Sequence, residues 1–167
     1  MNSTCILALS LLPGIGRKSI YKILRNKPDG ISSINELVEI LPQKYSETDI
    51  TTAIEKADLI LTQSLKLDIH SITPFDPIFP ACLKSINNPP VLLFYKGDIS
   101  LLEKPKRVAI VGTRNPSLFG IKKGRSITKW FVERSYIIIS GLAIGCDTVA
   151  HQICIENGGK TIAWLPS

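Results

Sequence analysis

Several marks of an assignable chemistry are missing from these 167 residues. The four cysteines (Cys5, Cys82, Cys146, Cys154) form no CxxC pair, and only two histidines accompany them. The ligand spacings of a structural zinc site are therefore absent, and a reduced, cytoplasmic protein is the plain expectation. Neither GxGxxG nor GxxxxGK[ST] occurs, which leaves dinucleotide and P-loop mechanisms without support. No apolar run approaches the roughly 18 to 20 residues that a membrane-crossing helix needs, so no membrane partner is expected. The segment Cys5-Ile6-Leu7-Ala8-Leu9-Ser10-Leu11-Leu12 has the apolarity of a leader core. It lacks a basic stretch before it and a small-residue cleavage site after it, and reads as a buried helix. No metal, cofactor or catalytic residue is expected.

What is present points to a folded protein with an anionic ligand. Apolar residues make up 44% and charged residues 20% of the chain, a globular balance. The net charge of +6 is unevenly placed. Residues 1–68 hold 8 Lys/Arg against 8 Asp/Glu, whereas residues 69–167 hold 12 against 6. A basic surplus confined to one part favours nucleic acid or a phosphorylated small molecule. A surface kept basic for solubility is the competing reading.

The basic part also carries the strongest pattern. Three runs rich in Val and Ile, Val108–Val111, Ile137–Ile139 and Thr161–Leu165, alternate with two longer segments of helical period. This is the sequence form of a β-α-β-α-β unit, with parallel strands buried on both faces. The first two runs end at Gly112 and Gly141, where the chain turns into a helix. Ligands of open parallel sheets bind beyond the carboxyl ends of the strands. The candidate site is therefore Gly112-Thr113-Arg114 together with the turn from Ser140 to Asp147, which contains Gly141, Leu142 and Gly145.

At the first turn an anion would meet backbone N–H groups, the Thr113 hydroxyl and the forked guanidinium of Arg114. A buried structural role is the alternative for this arginine. Asn115 is expected to cap the next helix, with Pro116 in its first position. Lys122, Lys123, Arg125 and Lys129 follow, some of them as the helix's solvated face. At the second turn Asp147 and His151 lie four residues apart on one helical face. They are read as structural, Asp147 capping the helix and orienting backbone, with an acid–base or metal pair as the alternative. Cys146 stands near the same helix N-terminus without an evident base partner.

Residues 1–68 read as a small helical domain, and 69–167 as a second domain. The first opens with two helices joined at Leu12-Pro13-Gly14-Ile15-Gly16. That turn, followed by Arg17, Lys18 and apolar Ile20, Ile23 and Leu24, resembles the helix-hairpin-helix motif. Gly14, Gly16, Arg17 and Lys18 are thus possible secondary DNA contacts, against the alternative of an ordinary compact hairpin. Lys22, Arg25 and Lys27 add charge. A turn is expected at Lys27-Pro28-Asp29-Gly30 and a short helix from Asn35 to Leu41, ending at Pro42. A longer helix after Ser46–Thr48 carries Ile50, Ala53, Ile54, Ala57, Ile60, Leu61 and Leu65 on one face. Proline-rich connections around a short helix then occupy residues 69–90. Val91–Gly97 reads as a further strand beside the sheet.

Gly112-Thr113-Arg114-Asn115-Pro116-Ser117-Leu118-Phe119-Gly120 fits GxRxxSxxG. Ser140 to His151 fits SGLAxGxDxxAH, and Gly158 to Ala163 fits GGxTIA. With Phe79-Pro80 and the segment Asn88–Gly97, these linked motifs resemble the DNA-processing protein A (DprA, or Smf) family across nearly the entire chain. The resemblance implies an α/β protein: a small N-terminal helical (helix-hairpin-helix or SAM-like) domain followed by a partial Rossmann-like parallel sheet with helices. It implies binding of single-stranded DNA and loading of a RecA-type recombinase during natural transformation, without nucleotide hydrolysis. Arg114 would contact DNA phosphate, with Gly112, Thr113, Ser117, Ser140, Gly141, Leu142, Gly145, Lys122, Lys123 and Arg125 forming the DNA site. Asp147 and His151 would shape the pocket.

Two departures stand out. Ile144 and Cys146 replace residues more usual in the family. The sequence also stops at Leu165-Pro166-Ser167, at a strand end, where relatives continue with the surfaces used for homodimerisation and for the recombinase. This reads as truncation within the Rossmann-like domain, by fragmentation or in the gene. Two competing readings remain: a Rossmann-like nucleotide-binding enzyme or sensor using the glycine loops, and a truncated product with no independent activity.

Overall fold

The computed structural model describes residues 3–25, 36, 39, 41 and 45–165. The turn expected at Lys27-Pro28-Asp29-Gly30 lies outside them, as do most of the short helix from Asn35 to Leu41 and its stop at Pro42. The chain divides into two compact units, Met1–Glu103 and Lys104–Ser167. The boundary expected at 68 and 69 therefore falls within the first unit.

Helix α1 (Ser3–Leu11) is apolar around its whole circumference, so it can only be stable buried, and Cys5 to Leu9 are all buried. Helix α2 (Arg17–Arg25) is amphipathic: Ile20 and Leu24 go into the core while Arg17, Lys18 and Lys22 stay exposed. Helix α3 (Glu47–Lys66) begins at a capping box. Ser46 accepts the Asp49 N–H, and the Asp49 carboxylate accepts the Ser46 N–H. Ile50, Ala53 and Ala57 are buried and Ile54, Ile60 and Leu61 pack beside them, as their spacing predicts, but Leu65 near the helix end is exposed.

After α3 the chain forms a strand that its sequence does not announce, β1 (His70–Ile72). Beyond the four-residue helix α4 (Ala81–Lys84) comes β2 (Leu93–Tyr95), which pairs with β1 antiparallel, Ser71 opposite Phe94. The expectation that Val91–Gly97 extends the parallel sheet is thus corrected: its strand belongs to a separate two-stranded sheet. Packing explains why. Val91 is buried in the core of the helices, Leu92 rests against it, and the Tyr21 hydroxyl donates to the Pro90 carbonyl at 3.4 Å. These contacts also carry the unit past residue 69.

The second unit is the β-α-β-α-β element. Strands β3 (Arg107–Ala109), β4 (Ile137–Ser140) and β5 (Thr161–Ala163) pair in parallel in that spatial order, with Val108 opposite Ile138 and Ile138 opposite Thr161. Helix α5 (Leu118–Val132) connects β3 to β4, and α6 (Cys146–Glu156) connects β4 to β5. Ile138, Ala150 and Cys154 form the buried centre, with Val108, Ile110, Phe131 and Val132 around it. Val108 and Ile138 share one sheet face, so both helices lie on that face. The opposite face carries Ala109, which is exposed, and Ile139 and Ile162, which are half-buried. Sequential strand order with right-handed crossovers places both helices on the same side.

Ile138 is fully buried in the central strand, so Ile138→Ala should leave a cavity and cost about 2–5 kcal/mol. Trp130 and Trp164, the only tryptophans, both lie in this unit. Urea unfolding followed by tryptophan fluorescence should therefore show the loss as a lower midpoint.

Candidate functional site

The carboxyl ends of β3 and β4 are tied before either loop begins. The Ser140 hydroxyl, buried, donates to the Ile110 carbonyl at 2.6 Å, and the Ile110 N–H donates to Ile139 at 2.9 Å. The first loop, Val111 to Arg114, then leaves the sheet against the second. The Cys146 N–H donates to the Thr113 carbonyl at 3.1 Å, joining the loops backbone to backbone. Two glycines make the approach possible. Gly145 sits at φ +93°, where a Cβ would fall 2.6 Å from the Arg114 carbonyl oxygen and closer still to that of Thr113. At Gly112 a Cβ would lie 2.6 Å from the Cys146 sulfur, so this cysteine packs on the first loop.

The helix starts differ from expectation at both loops. Helix α5 is capped by Ser117, not Asn115: Ser117 has the extended backbone of a cap (φ −66°, ψ 162°) and its hydroxyl accepts the Gly120 N–H at 3.1 Å. The Asn115 N–H is held by the Thr113 hydroxyl at 3.1 Å, which keeps Asn115 in the loop. Helix α6 has Gly145 in the cap position, with no side-chain cap. Asp147, one residue inside the helix and buried, accepts the Gly141 N–H at 3.0 Å. It orients the loop backbone as expected but does not cap the helix. Its negative charge in the first turn also suits the positive end of the helix dipole. His151 is buried with Nδ1 2.7 Å from the Thr161 hydroxyl, and among the described residues its Nε2 has no partner. Asp147 and His151 thus direct their hydrogen bonds to Gly141 and Thr161, not to each other.

These ties leave an exposed surface of consistent character. Arg114 is exposed and, among the described residues, pairs with no carboxylate. No acceptor within the described residues takes the N–H groups of Gly112, Thr113 or Arg114, so three donors and a guanidinium are available at one turn. Lys122 and Lys123 are exposed on α5, with the Lys123 ammonium 5.5 Å from the Phe119 ring centre. Arg125 lies apart. It pairs with Glu156 at 3.2 Å, and Glu156 is the last residue of α6, about 15 Å along the helix from the loop end. Gly14, at φ +78°, and exposed Gly16, Arg17 and Lys18 belong to the first unit.

A second feature of this edge escaped the sequence reading. Val111, Leu118, Phe119, Leu142 and Ile144 are all exposed, up to 87% at Leu118, and Trp164 follows β5 in the same way. Each stands just past a strand or at a helix start, in positions where apolar periodicity predicts burial. The available signal was Phe119 four residues before Lys123, an aromatic ring and a cation at neighbouring helix positions. Leu142 holds φ +60°, unusual for a residue with a side chain, and this turns the loop tip outward. Among the described residues no group of three or more His, Cys, Asp or Glu gathers as metal ligands would, and no helix is long and apolar enough to cross a membrane.

The sequence profile of the family described as DNA recombination-mediator protein A matches residues 70–167. The chain is 36% identical to DNA processing protein DprA of Bacillus subtilis over 116 residues, covering 70% of this chain and 39% of that protein. It is 46% identical to the DprA of Streptococcus pneumoniae over 93 residues, or 56% of this chain and 32% of that one. The crystal structure of the pneumococcal DprA superposes with a TM-score of 0.75 at 31% identity, over 99% of this chain and 58% of that chain. A structure of DNA processing protein A from Helicobacter pylori, described for its single-stranded DNA binding mode, matches at a TM-score of 0.51 and 28% identity. It covers 59% of this chain and 42% of that one. The chain therefore spans between about a third and three fifths of the length of these relatives.

Because Gly145 combines a positive φ with backbone contact, Gly145→Ala should cost about 1–3 kcal/mol. The change should also separate the loops. Faster hydrogen exchange at the Cys146 amide, with little change at the amides of β4, would record this directly.

Proposed function

The chain belongs to the DNA recombination-mediator protein A family, and on that premise we propose that it captures single-stranded DNA at the loop edge of its parallel sheet. The observation that carries this reading is exposed Arg114 beside the N–H groups of Gly112, Thr113 and Arg114, none of them with a partner among the described residues, on the interlocked loops. Arg114 would grip a phosphate with the N–H groups of Gly112 and Thr113, and Lys122 and Lys123 would hold neighbouring phosphates. Ser117, Ser140, Gly141, Leu142, Gly145, Asp147 and His151 would act by shaping the loops. Phe119 and the apolar loop tips would receive bases, whose faces are all alike in stacking, so the site would show little sequence preference. Arg125, paired with Glu156, would contribute at most to the general field.

The role proposed is non-catalytic. Support comes from Asp147 and His151, the titratable pair nearest the loops, each of which already has a positioning partner. The single-stranded DNA binding described for the Helicobacter pylori relative supports the ligand. Delivery of a RecA-type recombinase to the captured strand in DNA uptake, in the cytoplasm, completes the proposal. Self-association as a homodimer would belong to the whole protein.

Fluorescence anisotropy of a labelled thymidine oligonucleotide across a salt series tests the capture step. Affinity should fall steeply with salt, at a log–log slope of about −0.7 per phosphate neutralised. Arg114→Ala should weaken binding about ten-fold and make the slope shallower by about 0.7. Arg114→Lys should keep the slope but not the full affinity, since a lysine lacks the fork. A folded chain that ignores the oligonucleotide at low salt would overturn the assignment.

A further inference from the structure

One groove of the first unit lies far along the sequence from the loops. It encloses about 660 Å³ and is walled by α2, by the turn after β1, and by the segment from α4 to Pro89. Three lysines contribute to it: Lys18 and Lys22, one helical turn apart on α2, and Lys84 on α4. No acidic side chain lines it, and none of the three lysines forms an ion pair among the described residues. All three are exposed, so among the described residues the groove carries a positive field.

Its other walls are suited to a flat ring. Phe75 is 43% exposed there, in a unit whose other large apolar side chains are mostly packed into the core. Tyr21 spends its hydroxyl on the Pro90 carbonyl, which fixes the ring as a wall of the groove. Asn87 and Asn88, both exposed, bring amide groups that donate and accept. Cations for phosphate, an exposed ring for stacking and amides for a ring edge are the three requirements of a nucleotide. A volume of this size is in the range of small-molecule sites.

We propose that this groove is a second nucleotide site, binding a phosphate on Lys18, Lys22 and Lys84 and a base against Phe75. The nucleotide is a unit of a single strand or a free nucleoside monophosphate; the chemistry is shared. A duplex does not fit, because its base faces are stacked away. The site is separate from the loop edge and does not depend on the function proposed there.

Amide chemical shifts of the isotopically labelled 167-residue chain test it, with a thymidine dodecamer in one titration and thymidine monophosphate in another. The amides of Lys18, Lys22, Phe75, Lys84, Asn87 and Asn88 should move, and should still move in Arg114→Ala. Shifts with the dodecamer alone assign the groove to a strand, and shifts with both assign it to the nucleotide unit itself. Lys22→Glu with Lys84→Glu, and separately Phe75→Ala, should each weaken binding at these amides about five-fold or more. Lys56→Glu, an exposed lysine of the same unit that does not line the groove, should not. Silence at these amides with both probes overturns the proposal, as does equal weakening by Lys56→Glu. Failure of the loop assignment would be read elsewhere, at Gly112 to Arg114 and Gly141 to Gly145.

Discussion

The parallel unit depends on one close approach, that of the Gly145 backbone to the carbonyls of Thr113 and Arg114. With the Cys146 N–H donating to Thr113, it turns two loops from separate crossovers into one surface. Nearly everything else at this edge serves to keep the approach. Ser140 fixes the ends of the strands, Asp147 holds the Gly141 amide, and Gly112 leaves room for the Cys146 side chain. The consequence is preorganisation. Loops of this length, free of such ties, would have to be ordered by a ligand at a cost of about 1–2 kcal/mol per residue fixed.

The same ties sort the polar groups into two populations. Those inside, Ser140, Asp147, Thr161 and Nδ1 of His151, bond to the protein and are spent on its shape. Those outside, Arg114, Lys122 and Lys123, are exposed and have no carboxylate partner among the described residues. Arg125 shows what a structural arginine looks like on this scaffold, for it has found Glu156. Among the described residues, the contrast between Arg114 and Arg125 separates an exposed cation without an ion pair from one held in a surface ion pair.

Much of this edge was legible in advance because its signals are local. Runs of Val and Ile ending in glycine mark strands that must turn, and β3, β4 and β5 lie where those runs are. The role of Asp147 as an organiser of backbone was legible for the same reason. What failed needed knowledge of partners. Strand β1, with only His70, Ser71 and Ile72, has too few residues to show a period, so its pairing with β2 was hidden. Asn115 and Ser117 are equally good caps on paper, and the Thr113 hydroxyl decides between them by taking the Asn115 N–H. The ion pair of Arg125 with Glu156, 31 residues on, was hidden because sequence distance cannot show that reach.

The exposed apolar residues decide how the proposed capture would be divided between forces. Phosphate contacts weaken steeply as salt rises, so the grip of a single arginine with two lysines depends on ionic strength. A base stacked on an aromatic ring contributes about 1–3 kcal/mol and is not screened. Exposed Phe119 therefore matters to the proposed site beside Arg114. Leaving Phe119, Leu142 and Ile144 in water costs the free protein about 25 cal/mol for each Å² of apolar surface, and any ligand that covers them returns that cost. An edge built only for phosphate would have no use for such residues, and one built only for apolar contact would have none for Arg114. A single strand, with charge along one side and exposed rings along the other, answers both.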